Sequence, residues 1–380
     1  MIDKKRLICL AQKLLSINSE NPPGREGEIA EFISKEMKEA GLSVISRSFA
    51  KSRPNIIALL KGKGDRRRAT NNALLLTPHV DTVPIGNGWK YDPFGKDIKN
   101  GRLYGRGASD DKGNVAVCLE VMRSLKEDGV KLNSDIVMAA TADEECGSAY
   151  GILPLLREKV LKPKLALVLD SDEGDCVIAQ KGLIHLRIKL FGKKAHGAYN
   201  WKGINAIEKA ANIISRIKQI SFSFNEHPLL RPPTVNIGTI KGGDKVNMVA
   251  DYCEFSVDIR FLPGMADKII LKEINNILIQ EGIGYKVCVD DLQQPYEISK
   301  DNVFVRKYIE SAKKFGCRAI LKGSEGATVI TFFKKYNIPA FASGFGASGT
   351  AHTTDEYVFV ESLYKGARII EHYIKEYDKI

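Results

Sequence analysis

The 380-residue chain contains no apolar run approaching the roughly 18 residues that span a bilayer, so it is not expected to cross a membrane as a helix. Its opening segment, MIDKKRLICLAQKLL, is charged and amphipathic, with neither the apolar stretch nor the cleavage site of a secretory signal. It lacks any CxxC pair. The seven cysteines (Cys9, Cys118, Cys146, Cys176, Cys253, Cys288 and Cys317) are odd in number and scattered. That argues against a disulfide framework or a thiolate zinc site and fits buried thiols in a reducing cytoplasm. Internal repeats and low-complexity tracts are absent too. With 44% apolar and 27% charged residues, the composition is globular and not that of a disordered chain. The length suggests two domains.

Acidic residues are outnumbered, leaving a net charge of +11. Nucleic-acid binding would account for such a charge, but no RNP, helix-turn-helix or zinc-finger signature accompanies it. A solvated, lysine-rich surface accounts for it as well, and no nucleic-acid partner is expected. The densest basic run, Lys61–Arg68 (KGKGDRRR), falls between the apolar runs NIIALL and ALLLT and predicts a solvated hairpin tip.

Periodicity predicts helices over 3–15 and 26–40, strands over 44–49, 55–60 and 73–77, and a helix over 113–128. DIVMAAT (135–141) and 165–169 are continuous apolar runs, as expected for strands buried on both faces of a mostly parallel sheet. The rhythm changes near 181. Segments 183–191 and 253–260 alternate, 234–240 and 285–290 are strand-like, and helices are expected over 203–220 and 267–281. The order βαββαβ is a split-βαβ unit with one open sheet face. The α/β pattern resumes with a helix over 302–315, a strand over 340–342 and a helix over 360–376. One α/β domain, 1–180 and 291–380, thus carries an inserted domain, 181–290.

Histidine is scarce, with six in the chain. His79 closes a buried strand in LLLTPHVDTVP, with Asp81 on the same side of the chain, where a carboxylate can fix a ligand imidazole. A purely structural His–Asp pair fits the same spacing. Asp110 and Asp111 precede a helix, where an aspartate is also a common cap. Asp143, Glu144 and Glu145 end the most buried strand and repel one another unless a cation sits among them. Asp170, Asp172 and Glu173 follow another strand, and His352 lies on a Gly-rich loop. These sites share the C-terminal ends of sheet strands, where open α/β sheets bind ligands. Histidines and carboxylates without thiolates suit zinc, manganese or cobalt, and the ligand surplus over one tetrahedral ion points to two metals.

The segments HVDTVP, GRGASDDKGN, TADEECGS, DSDEG and AHTTDEYV, in that order across nearly the whole chain, resemble the M20 metallopeptidase and amidohydrolase family. The resemblance implies a zinc-peptidase-like catalytic domain with a ferredoxin-like lid that also forms a homodimer. It implies two Zn2+, with Co2+ or Mn2+ as substitutes. His79 and Asp172 would hold one ion, Glu145 and His352 the other, and Asp110 would bridge them. Which of Asp170, Asp172 and Glu173 is the fifth ligand stays open. Asp81 would orient His79, and Glu144 would be the general base that takes a proton from the attacking water. In the lid, His196 would stabilise the oxyanion across the dimer, and Asn247 and Arg260 would face substrate. His185, His227 and His372 match no motif.

The implied reaction is hydrolysis of an amide bond in a short peptide or a small N-acyl amino acid. Deacetylase and desuccinylase relatives commonly carry an arginine in a GTSDGR-like segment. Here GSEGATV places Glu325 at the acidic position and Ala327 at the arginine position. That shifts the expectation toward peptidase-like or aminoacylase-like substrates. The alternatives are a deacylase of the acetylornithine or succinyl-diaminopimelate type, and an inactive small-molecule-binding homologue.

Overall fold

The computed structural model describes residues 1–63, 73–326 and 328–380. Most of the basic run expected at a hairpin tip, and Ala327, lie outside the described residues. The strands flanking that run are not hairpin partners. Pro54–Leu60 pairs antiparallel with Ile136–Ala140, which lies between it and Leu74–Thr77. The chain forms two compact units. One comprises 1–178, 298–322 and 332–380, and the other 179–297 and 323–331.

The first unit is built on a large sheet with a parallel centre. Ile136–Ala140, Leu74–Thr77, Leu165–Glu173 and Ala340–Gly344 lie side by side and run the same way. Their apolar runs are almost wholly buried, as strands covered on both faces require. The margins are antiparallel, with Pro54–Leu60 and Ser43–Ser48 on one side and Asp175–Gln180 on the other. Asp175–Gln180 (DCVIAQ) is a buried strand that the sequence reading passed over, because the acidic turn before it reads as loop. Gly174, at φ +85°, supplies the left-handed turn.

The helix Lys112–Glu127 is buried nearly all round, well beyond a single apolar stripe. It packs against Lys4–Leu15, Gly27–Glu39 and Val360–Tyr377 as well as the sheet. A three-stranded sheet of Tyr357–Phe359, Arg102–Tyr104 and Ile98–Lys99 joins the stretch before Asp110 to the stretch after His352.

The second unit has the predicted βαββαβ order. Its antiparallel sheet runs Thr234–Gly242, Tyr252–Phe261, Gly182–Phe191, Gly284–Gln293. Along Tyr252–Phe261, Cys253, Phe255, Val257, Ile259 and Phe261 are buried in a core with Ile213 and Ile217 of Ala206–Lys218 and Ile270 and Ile274 of Asp267–Gln280. Glu254, Ser256, Asp258 and Arg260 alternate onto the open face.

Candidate metal centre

The four parallel strands deliver the acidic and histidine side chains to one place. His79 follows Leu74–Thr77, Glu144 and Glu145 follow Ile136–Ala140, Asp170 lies near the end of Leu165–Glu173, and His352 follows Ala340–Gly344. Parallel neighbours end on the same side, so these groups converge. A bridge between His79 and Thr141 prolongs the ladder and holds His79 beside the Glu144 turn. Asp110 enters from the loop before Lys112–Glu127.

Asp110 stands at the centre. Its Oδ1 lies 2.8 Å from His79 Nε2, and its Oδ2 lies 3.0 Å from His352 Nε2. His352 Nε2 is also 3.2 Å from Glu145 Oε1. His79 Nδ1 lies 3.0 Å from the Asp81 backbone oxygen, an acceptor only, so Nδ1 carries the ring proton. In the neutral ring Nε2 therefore turns a lone pair toward a carboxylate oxygen, a repulsive contact unless a cation or proton intervenes.

The protonation equilibria register this strain. Burial opposes charge on His79, yet Asp110 and Asp81 carry its pKa well above the usual imidazole range. Contacts with Asp110 and Glu145 lift His352 to about 10. Burial, reinforced by Asp170, pushes Glu144 well above the carboxylate range. Burial and Asp110 raise Asp170 to about 7. Asp110 goes the other way, since His352 and His79 outweigh its burial. Ligand atoms of His79, Asp110 and Glu145 lie within 4.8 Å of one another, as do those of His79, Glu144 and Asp170. Crowded oxygen and nitrogen donors with excess negative charge fit divalent cations of the zinc, manganese or cobalt type.

One of these two clusters contains Asp170, and neither contains Asp172. Of the three carboxylates left open for the fifth position, Asp170 is thus the one grouped with His79 and Glu144. Strand alternation treats positions 170 and 172 alike, but the ladder is irregular here. Leu169 pairs with Ser343, and the next pair is Glu173 with Gly344, so 170–172 bulge out. Asp172 forms a backbone bridge with Gly346, and the Glu173 carboxylate meets Lys365 Nζ at 2.8 Å.

Asp81 does more than face His79. Its carboxylate lies 3.5 Å from His79 Nδ1 and accepts from the Glu144 and Glu145 amides at 3.0 and 3.1 Å. Asn21 Nδ2 donates to it at 2.8 Å. Burial opposes its charge, but His79 and these donors hold its pKa below the usual value. Asp143, at φ +65°, starts the Glu144 turn, and its carboxylate receives Arg53 Nη2 at 2.9 Å and the Tyr150 amide at 2.9 Å. Arg53 in turn pairs with the fully buried Glu26. Sequence reasoning missed Asn21, Glu26 and Arg53, which lie far from any motif. Asp111 occupies the cap position without capping. It accepts from the His79 amide at 2.9 Å and Asn114 Nδ2 at 2.6 Å.

Residues 75–376 match the model described as peptidase family M20/M25/M40. The chain belongs to this family. Over 99% of both chains it is 25% identical to the aminopeptidase PepT of Bacillus cereus, with a TM-score of 0.82. A Staphylococcus aureus tripeptidase matches over 100% of both chains at 25% identity and a TM-score of 0.83. A Bacillus subtilis dinuclear metal-binding M20 peptidase shares the fold at 18% identity, 99% coverage of both chains and a TM-score of 0.76. This M20 chain is thus a hydrolase of the metallopeptidase type with candidate ligands for a metal centre.

His196, Asn247 and Arg260 lie in the second unit of the M20 chain. The exposed His196 accepts the Ala198 amide on Nδ1 at 3.1 Å, so Nε2 is the ring nitrogen left to donate. The Asn247 carbonyl accepts from the Gly197 amide at 2.8 Å, tying it to the His196 turn. Arg260 lies on the open sheet face, where Asp258 holds its guanidinium at 2.8 and 3.2 Å. Glu325 is occupied within the same unit. It accepts from the Arg231 amide at 2.8 Å and pairs with the buried Lys181 at 2.6 Å. No helix among the described residues is long and apolar enough to cross a membrane.

Proposed function

We propose that this protein is a two-metal peptidase that hydrolyses an amide bond of a short peptide. The observation that carries the reading is the Asp110 carboxylate, with one oxygen at His79 Nε2 and the other at His352 Nε2. His79 and Asp170 are the ligands assigned to one ion, Glu145 and His352 to the other, with Asp110 shared. Zinc is the proposed metal, with cobalt or manganese as substitutes. When bound, the ions supply positive charge that acidifies a water and polarises the substrate carbonyl.

Glu144 is the proposed general base. Its amide is anchored on Asp81, and its half-buried carboxyl has a raised pKa, as suits a group that takes a proton from water and returns it to the leaving amine. The second unit is proposed to be a lid and dimerisation domain, 181–290 in outline. His196 of the partner subunit would donate Nε2–H to the developing oxyanion, and Arg260 and Asn247 would hold the substrate backbone. The free state of all seven cysteines supports a cytoplasmic location. Short peptides are chosen over N-acyl amino acids because the two relatives at 25% identity are an aminopeptidase and a tripeptidase.

The test is mass-spectrometric product analysis of the zinc- or cobalt-loaded protein with dipeptides, tripeptides, amino-blocked peptides and N-acyl amino acids. Cleavage of free peptides is expected. Turnover of N-acyl amino acids alone would make it a deacylase, and no turnover of any member would support an inactive homologue.

A further inference from the structure

Glu356 lies on the loop after His352, is fully buried, and has no part in the reaction described above. Its carboxylate is saturated by donors from the loop that carries Asp110. Oε2 accepts from Arg106 Nη1 at 2.6 Å and the Gly107 amide at 3.1 Å. Oε1 accepts from the Ser109 amide at 2.9 Å and the Asp110 amide at 3.1 Å. Arg106 Nη1 also donates to the Thr353 carbonyl, one residue past His352, at 3.1 Å. Ser109 Oγ adds a bond to the Tyr357 carbonyl at 2.7 Å.

The loop is closely packed against its neighbours at Gly107. Gly107 sits at φ +88°, and a Cβ there would lie 2.8 Å from Thr82 and 2.9 Å from Lys112. A buried carboxylate is costly unless its charge and lone pairs are met, and here both oxygens are met by N–H donors alone. Two segments far apart in the chain are thereby joined, each ending on a group that faces the same metal centre.

We propose that Glu356, together with Arg106, is a positioning pair that sets the separation of Asp110 from His352. The inference rests on the proposed metal centre. Glutamine is not a neutral replacement. Whichever way its amide turns, an NH2 group faces either Arg106 and the Gly107 amide or the Ser109 and Asp110 amides, donor against donor.

The experiment compares wild type, Glu356→Gln, Arg106→Lys and Val358→Ala by equilibrium cobalt titration, the visible cobalt spectrum, and thermal unfolding in chelator. Val358 is buried in the adjacent strand and makes none of these side-chain bonds. Loss of such a supporting contact weakens metal binding about 10–100-fold. Glu356→Gln and Arg106→Lys are expected to show that loss and an altered spectrum, and Val358→Ala a lower melting temperature with wild-type cobalt affinity. If Glu356→Gln fails to fold, Arg106→Lys decides by the same criterion. Wild-type affinity and spectrum in the folded variants would overturn the positioning role alone. A wild-type protein that takes up no cobalt would overturn the metal centre itself.

Discussion

Replacing Asp170 by asparagine should stabilise the protein in chelator and weaken its hold on metal. Burial and Asp110 raise the Asp170 pKa from 3.8 to about 7. Below pH 4 the carboxyl is protonated in both folded and unfolded chains and costs nothing. Between about 4 and 7 the folded state keeps a proton that the unfolded chain has released, so stability falls as pH rises. Above pH 7 the full cost is present. About three pK units at ~1.4 kcal/mol each give on the order of 4 kcal/mol. Asparagine removes that cost, so in chelator the variant should gain up to this amount at pH 8 and nothing at pH 4. With zinc present the order reverses, because the ion needs the ionised carboxylate. Urea unfolding at both pH values, with chelator and with zinc, measures this, and Asp172→Asn is the control expected to behave like wild type. If Asp170→Asn gains no stability at pH 8 in chelator while Asp172→Asn loses zinc affinity, the assignment of the fifth ligand is reversed.

Glu144→Ala should lower turnover by about 10²–10⁴ while leaving metal stoichiometry intact, checked by single-turnover kinetics and elemental analysis. His196→Ala should cost about 10²–10³ in kcat with little change in KM. Mixing inactive Glu144→Ala chains with inactive His196→Ala chains should restore part of the activity, and no recovery despite subunit exchange would place His196 in its own chain's site. In the second unit, Phe255→Ala empties a fully buried position and should destabilise by about 3–5 kcal/mol in chemical denaturation.

Several elements were legible because their signals are local. The runs DIVMAAT and ALLLT announce buried strands, and both lie in the parallel centre of the sheet. The alternation of CEFSVDIR separates buried Phe255 and Ile259 from exposed-face Asp258 and Arg260. The hairpin expected around Lys61–Arg68 failed for a different reason. Two adjacent apolar runs suggest pairing, but Ile136–Ala140 intervenes between them, and nothing within either run encodes a third strand.

The sequence by itself determined which groups are available to a metal. Residues that repel one another, such as Glu144 beside Glu145, imply a cation wherever they are buried, and the order of the motifs identifies the family. Tertiary structure alone groups Asp170 with His79 and Glu144. The proposal of Asp170 over Asp172 rests on that grouping and on a bulge against Ala340–Gly344, a strand some 170 positions away in the chain. The supports for the site are equally non-local. Asp81 holds the Glu144 turn, Arg53 holds Asp143, and Glu356 holds the Asp110 loop. Each is a buried charge met by backbone amides or by an ion pair from distant segments, and backbone amides are the same at every position, so no pattern in the sequence distinguishes the ones that are used.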